Sequence, residues 1–440
     1  MKFIFLLVCG FLPTCALHAQ RATVSDDHSH APSATLSLEA LTRIALAENP
    51  ALKASHANWE AMKARVPQAA AWEDLSVSLQ ARVGRFVDVP ANAFTDNQLT
   101  VEQKVPLNGK NISRARAASA EAVAAYEQLR RVELDLRAQV AAAYWRLANA
   151  YAQLDLNRQN ETLLSEAAGL SRARYEAGTQ TQADVLAATV ERARLVEARA
   201  DLQRTCDDAQ SALNVLLNRP ARSPLPQPSL PDANDSMHAR LPPPERLEAL
   251  ALAYRPEVRI AQKRIDVAQA RVELSHRSWM PDPALRVSGQ QYNASSQAVS
   301  EVDVGITFTV PWLNAGKYRA ENREAQAVLN QKVAELAGLR TETLGRVRDA
   351  LTKLETVHHH FEVYRDEILP LARQAVAASR TGYENAKSSF AELIAAERTL
   401  RDAEAESLMH LADYQTAAAE LAAVVGVDFH SLPLSKPASK

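Results

Sequence analysis

The chain is written twice. "ALAENPAL" at 45–52 returns as "ALAYRPEV" at 251–258, an offset of 206 residues. "VPLNGK" at 105–110 returns as "VPWLNAGK" at 310–317, and "SRARYEAG" at 171–178 as "SRTGYENA" at 379–386. "ADVL" at 183–186 matches "AELI" at 391–394, and Leu213 and Leu421 close the match. Offsets that drift only from 205 to 208 across these landmarks define an internal duplication. The expected organisation is a first repeat over 36–218, a connector over 219–244, a second repeat over 245–427 and an irregular tail over 428–440. The segment 219–245 holds eight prolines, which fix φ and remove donors, so neither a helix nor a central strand can run through it.

Each repeat changes its hydrophobic period in the same order. Residues 38–72 have helical spacing, with breaks or kinks expected at Pro50 and Pro67. Residues 75–83 then alternate: Leu75, Val77, Leu79, Ala81 and Val83 face one way, and the polar residues between them the other. A second, less regular strand is expected over 98–105. A proline-free helical pattern follows over 110–177, then a turn at "AGTQTQ", then a helix over 182–217. In the second repeat the helix is expected over 245–279 and strands over 284–292 and 301–310. Every even position from Val302 to Val310 is apolar and every odd one polar or Gly. Helices over 317–386, bent at Pro370, and 390–425 complete it.

A helix of about 68 residues is about 100 Å long, far beyond a globular helix. The two shorter helices of each repeat, stacked end to end, match it. Each repeat therefore predicts a pair of long antiparallel rods whose apolar positions need neighbouring rods to cover them. The strands are long enough to cross a bilayer when tilted, with one face suited to lipid and one to water. Four strands cannot close a barrel, and an open edge is not tolerated in hydrocarbon, so the chain must oligomerise. The alternative is a soluble pair of hairpins packed on helices.

The doubled Val-Pro corner marks the passage from strand to rod. Pro106 and Pro311 end a strand where a missing N–H is tolerable. Asn108-Gly109 and the stretch Asn314 to Gly316 supply the turn. Lys110 and Lys317 fall where strand gives way to helix, close to lipid headgroups.

Composition agrees with rods. Glycine is scarce at 12 residues, aromatics make up 5%, and Lys+Arg 50 against Asp+Glu 52 leaves no basic excess for nucleic acid. The first 19 residues read as a secretory signal peptide: Lys2, a short apolar run from Phe3 to Leu12, and Ala19 before the cut, followed by a flexible stretch over 20–35. Cys9 and Cys15 lie within that leader, and Pro13 and Thr14 before Cys15 fit a lipidation signal poorly. The mature chain keeps Cys206, which cannot form an internal disulfide and reads as a small packed side chain. No later segment has the 18 apolar residues of a membrane helix.

The doubled "VPLNGK" and "VPWLNAGK" corners, together with "RYEAGTQTQADVL" and "GYENAKSSFAELI" at the helix turns, resemble the outer membrane efflux-duct family, the TolC-like proteins. The likeness covers about 36–427. It implies a mainly α protein with membrane β structure: a homotrimer in which four strands per chain build a twelve-stranded barrel, above a long α-helical tunnel crossing the periplasm. It implies docking to a periplasmic adaptor (membrane fusion) protein driven by an inner-membrane pump, in the outer membrane of a Gram-negative cell. The chain is most similar to ducts of heavy-metal and cation systems with resistance-nodulation-division (RND) pumps; drug export, type I protein secretion and, in another class, a periplasmic coiled-coil scaffold are the alternatives.

The resemblance places a ring of carboxylates at the periplasmic helix turns. The matching positions are Asp184 and Glu392, which would attract cations and narrow the aperture. Relatives often carry a further acid where this chain has Ala395. The competing reading is that both carboxylates complement helix N-termini. Arg172, Tyr175, Arg380 and Tyr383 flank the turns and would lock a closed entrance through links to carboxylates, or else pack and solvate. "HHH" at 358–360 and "DDHSH" at 26–30 carry metal-binding side chains, but consecutive helical residues in the first are about 100° apart and cannot all reach one ion, and the second, near the mature N-terminus, reads as flexible and at most a weak binder, so no metal site is expected. No P-loop, G-x-S-x-G, HExxH or CxxC motif is present, so no enzyme activity and no cofactor are expected.

Overall fold

The computed structural model describes residues 36–231, 242–385 and 387–427. The leader with Cys9 and Cys15, the DDHSH stretch, residues 232–241 of the connector and the tail lie outside the described residues.

The same series of elements occurs twice. The first comprises α1 (Leu38–Glu48), α2 (Pro50–Ala70), β1 (Ser76–Ala81), β2 (Thr95–Lys104), α3 (Lys110–Glu176) and α4 (Gln182–Leu216). The second comprises α5 (Pro244–Tyr254), α6 (Pro256–Ser278), β3 (Ala284–Tyr292), β4 (Glu301–Thr307), α7 (Ala315–Val363), α8 (Leu369–Glu384) and α9 (Phe390–Val425). A 3₁₀ turn, Pro311–Asn314, joins β4 to α7, and a π turn, Tyr364–Ile368, joins α7 to α8.

Proline explains most of the breaks. Asn49 before Pro50 and Arg255 before Pro256 both take ψ 124°, the extended conformation that a following pyrrolidine ring enforces. The single helix expected over 245–279 is therefore two, broken at Pro256. Asn49 caps the new start by accepting from the N–H groups of Ala51 (2.9 Å) and Leu52 (3.3 Å). Pro67 does not break α2, which runs through it and ends three residues later at Ala70. Pro370 removes the donor that the Asp366 carbonyl would meet in an α-helix, and the π turn just before it absorbs the fault.

Two matched clusters hold the rods. Leu41, Ala45, Val140, Leu147 and Leu213 pack α1 against α3 and α4. Leu247, Ala251, Val347, Leu354 and Leu421 do the same for α5, α7 and α9. Each buried leucine contributes about 2 kcal/mol by leaving water. The flanks differ. α3 is enclosed by α2, α4, α6 and α9, whereas α7 meets α6, the counterpart of α2, and α9, with no helix among the described residues on the flank where α3 has α6. From Ala315 to Glu335 no residue of α7 is buried.

The four strands form one antiparallel sheet in the order β1-β2-β3-β4. β1 and β4 are shorter than their alternating sequence, because each lies at an edge and has a partner on one side only. Pairing of β4 stops at Thr307 opposite Ala284, the first residue of β3, although apolar alternation continues to Val310.

Candidate functional site

The register sorts the sheet into two chemically opposed faces. Val77, Val101, Val287 and Val304 form one row across all four strands; Leu79, Leu99, Gly289 and Val302 form the next on the same face. Leu285 and Ile306 extend it. This face has no cover: Leu79 is 73% and Val304 70% exposed. A continuous exposed apolar surface on a sheet marks contact with lipid or a partner.

The opposite face is polar in every row. Ser78, Thr100, Ser288 and Asp303 align, as do Ser76, Glu102, Arg286 and Gly305. Its side chains bond across strands. Arg286 donates twice to Glu102 Oε2, at 3.0 and 2.8 Å, and Gln290 donates to Asp303 Oδ2 at 2.5 Å. A sheet that is dry on one face and wet on the other suits the wall of a water-filled pore in a bilayer. Among the described residues no helix is long and apolar enough to cross a membrane.

The corners beneath the sheet differ. Gly109 adopts φ 65°, the left-handed region, and opens α3. Arg277 Nη1 donates to its carbonyl at 2.8 Å, and Asn108 Nδ2 donates to the Pro281 carbonyl at 2.7 Å. Lys110 Nζ bonds Asp282 Oδ2 at 2.8 Å. Pro106 follows β2 directly, after Val105, whose N–H bonds Pro283 O at 2.9 Å. At the second corner Pro311 opens the 3₁₀ turn. Gly316, expected within the turn, is instead the second residue of α7. The extra alanine in "LNAGK" moves the glycine one step along, into the helix.

At the far end the two helix turns meet. Asp184 and Glu392 each take the third helical position behind a hydroxyl cap. The Thr181 hydroxyl donates to Asp184 Oδ2 at 2.8 Å and accepts from the Asp184 N–H at 3.4 Å; Ser389 Oγ accepts from the Glu392 N–H at 3.2 Å. The helix-terminal role is thus present for both. Neither carboxylate is in an ion pair within the described residues. Arg172 pairs with Glu176 on its own helix, at 3.1 Å, and Tyr175 is exposed. Arg380 is exposed. Tyr383 crosses to the other turn: its hydroxyl donates to Gln180 Oε1 at 2.8 Å, and Arg174 lies over its ring at 5.0 Å.

The interhelical carboxylate link is made by other residues. Glu191 on α4, 5% exposed, accepts from Arg398 on α9 and from Arg194 at 2.8 Å. Beside it Ala188, Phe390 and Ile394 close a small apolar cluster with Tyr383. Arg194 stands three residues from Glu191 and is visible in the sequence; Arg398 lies on the other repeat, where no local pattern reveals it. Cys206 packs against Ala150 and Leu154, and burial pushes its thiol up from the usual cysteine range. Among the described residues no group of three or more His, Cys, Asp or Glu side chains is placed to hold a metal ion.

Long paired rods ending in an amphipathic sheet define a channel-forming outer membrane architecture. Residues 41–219 and 247–427 match the family described as Outer membrane efflux protein, and the chain belongs to that family. It is 25% identical over 334 residues to the cobalt-zinc-cadmium resistance protein CzcC of Cupriavidus metallidurans, covering 74% of this chain and 77% of that one. It is 27% identical over 278 residues to the toluene efflux pump outer membrane protein TtgF of Pseudomonas putida; that match covers 62% of this chain and 56%, little more than half, of TtgF. Its fold matches that of CusC, described for transmembrane channel formation, with TM-score 0.76 and 18% identity over 89% of this chain and 92% of CusC.

Proposed function

We propose that this chain is the passive exit duct of a tripartite efflux assembly, working as a homotrimer in the outer membrane of a Gram-negative cell with its rods in the periplasm. The observation that carries the reading is the four-stranded sheet with one bare apolar face and two unpaired edges. β1 and β4 run antiparallel to each other, so the β4 edge of one copy can continue the sheet through β1 of the next. Such a head-to-tail contact closes into a ring when the rotation is right, and three copies give twelve strands. The polar face then lines water and the apolar face meets lipid.

The duct supplies no energy and performs no chemistry. A periplasmic adaptor and an inner-membrane RND pump drive it, and heavy-metal cations are the cargo. The likeness to CzcC supports that cargo; the shorter match to TtgF supports organic solutes as the second reading. Three copies each of Asp184 and Glu392, unpaired at the turns, would face one another across the entrance and favour cations.

The test is conductance of the purified oligomer in planar bilayers. Stepwise pore currents with cation preference are expected, and the preference falls in Asp184→Ala with Glu392→Ala. A stable water-soluble monomer without detergent, or no current, overturns the duct. An unchanged preference in the double variant overturns the aperture assignment alone.

A further inference from the structure

The histidine triplet on α7 meets a fourth histidine that the sequence places 50 residues away. α7 and α9 run antiparallel, and His410 of α9 is tucked between two rings of the facing helix. The His360 ring centroid lies 5.3 Å from that of His410, and Tyr364 stands edge-on at 4.9 Å. The His410 side chain is only 13% exposed, and Glu406, one turn earlier on α9, brings Oε2 to 3.9 Å from its Nε2.

The helical twist divides the triplet. His358 turns to Tyr414, at 5.5 Å between ring centroids, and its Nδ1 lies 3.3 Å from Glu362 Oε2. His359 is exposed. Only His360 shares a face with His410. We propose that His360 and His410 form a two-residue interhelical chelate for a borderline divalent cation of the zinc class, with water completing the shell and the Glu406 carboxylate outside it.

The chemistry of the donors supports this class. Imidazole suits zinc, copper, nickel and cobalt, while magnesium and calcium take oxygen donors. Nitrogens on one tetrahedral ion stand about 3.3 Å apart, given bonds of about 2.0–2.1 Å. The His360 and His410 ring centroids stand 5.3 Å apart, so binding one ion requires the two side chains to turn their nitrogens toward it. Glu406, outside the shell, offsets one of the ion's two positive charges without having to displace a protein partner. The place is also suited to an effect: Tyr364 opens the π turn where the α7 ladder is interrupted. An ion held here would tie α7 to α9 at that fault. The site does not rest on the cargo reading, since both ligands come from one chain on a helix-helix face.

Full-length oligomer in detergent, stripped with a chelator, is titrated with Co²⁺. One equivalent per chain is expected, seen as visible ligand-field absorption, displaced by Zn²⁺ and indifferent to Mg²⁺. His360→Ala and His410→Ala each weaken Co²⁺ by at least about tenfold. His359→Ala, and a variant with both His28→Ala and His30→Ala, retain the native affinity. His360 is exposed, so His360→Ala carries the test even where His410→Ala fails to assemble. Native affinity in His360→Ala, no bound equivalent at all, or loss of the signal in the His28/His30 variant overturns the proposal. Bilayer conductance of His360→Ala reads the duct separately, so the two proposals fail independently.

Discussion

At the first corner the Lys110 ammonium donates to Asp282 Oδ2 at 2.8 Å and to the Met280 carbonyl at 2.6 Å, and its side chain is 14% exposed. At the second corner Lys317 is exposed, and its one such contact among the described residues is the Tyr318 ring, 5.6 Å away. The first corner is held by the junction between α6 and β3, which lies next to it because β3 pairs with β2. Its equivalent in the other repeat is the junction between α2 and β1, with Trp72 matching Trp279 and Asp74 matching Asp282. That junction sits at the opposite edge of the sheet from β4, out of reach of the second corner in the same chain. Trp72 is 57% and Leu313 80% exposed. The rods repeat the lesson, since α3 lies between α2 and α6 while α7 has α6 alone. What one chain lacks at its last strand it offers at its first.

In the proposed ring, Lys317 of one copy therefore meets Asp74 of the next, as Lys110 meets Asp282 within the chain. Lys317→Glu sets two carboxylates together at every subunit contact and weakens each by about 3 kcal/mol. This is the largest effect expected, because all contacts in the ring fail together. Light scattering in detergent should show the oligomer mass falling toward the monomer, and Asp74→Lys in the same chain should restore it. Intact oligomer in Lys317→Glu, or no recovery with the swap, breaks the matching of the corners.

The proline breaks form a second matched pair solved by different chemistry. Asn49 caps α2 with its own amide, whereas Arg255 has no capping bond and instead donates to Glu257, at 3.1 and 3.3 Å. Burial pushes the Glu257 carboxyl up, but the bonds and charge of Arg255, its own backbone N–H and Arg131 outweigh that and hold it below the usual glutamate value. A depressed carboxylate gives stability that is complete above its unfolded pKa and lost as pH falls through its folded one. Glu257→Gln should cost about 3 kcal/mol at neutral pH, since Arg255 is buried and left without its anion. The loss should shrink as pH falls below the usual glutamate range and through the depressed folded value, where both proteins have a neutral side chain. Urea midpoints across pH measure it; a pH-independent loss would reduce Glu257 to a packing role.

The fold was legible wherever one period ran long enough. Val302 to Val310 announced β4, and the proline-free run from Lys110 announced α3. Pro256 falls in the interior of the helix expected over 245–279 and repeats Pro50 at the offset of the duplication, so that break is legible in the sequence; the extended ψ of Arg255 is what separates α5 from α6. At the helix turns the sequence marked Asp184 and Glu392 through the resemblance of ADVL and AELI to the family's turns; their capping hydroxyls came only with the structure. The sequence could not mark Arg398 with Glu191, or His360 with His410, because those contacts join helices far apart in the chain. Local pattern states which face a residue occupies; it does not state what stands opposite.

The corner glycines give the smallest but sharpest test of the contrast. At Gly109 a Cβ would stand 2.7 Å from Arg277 Nη1, the atom that holds the Gly109 carbonyl, in a left-handed backbone at φ 65°. Gly109→Ala should lose about 1–2 kcal/mol to that conformation and about 1 more as the guanidinium gives way. At Gly316 the backbone is helical and nothing lies within 4 Å of an added Cβ. Gly316→Ala should therefore gain about 0.5–1 kcal/mol, the ordinary preference of a helix for alanine. Thermal unfolding of each variant in detergent reads both signs. A gain at Gly316 in dissociated chains that becomes a loss in the oligomer would show that the next copy packs onto this glycine as closely as Arg277 packs onto Gly109. A loss in both states would mean that the second corner is already closed within its own chain, and the matching of the two corners would fail.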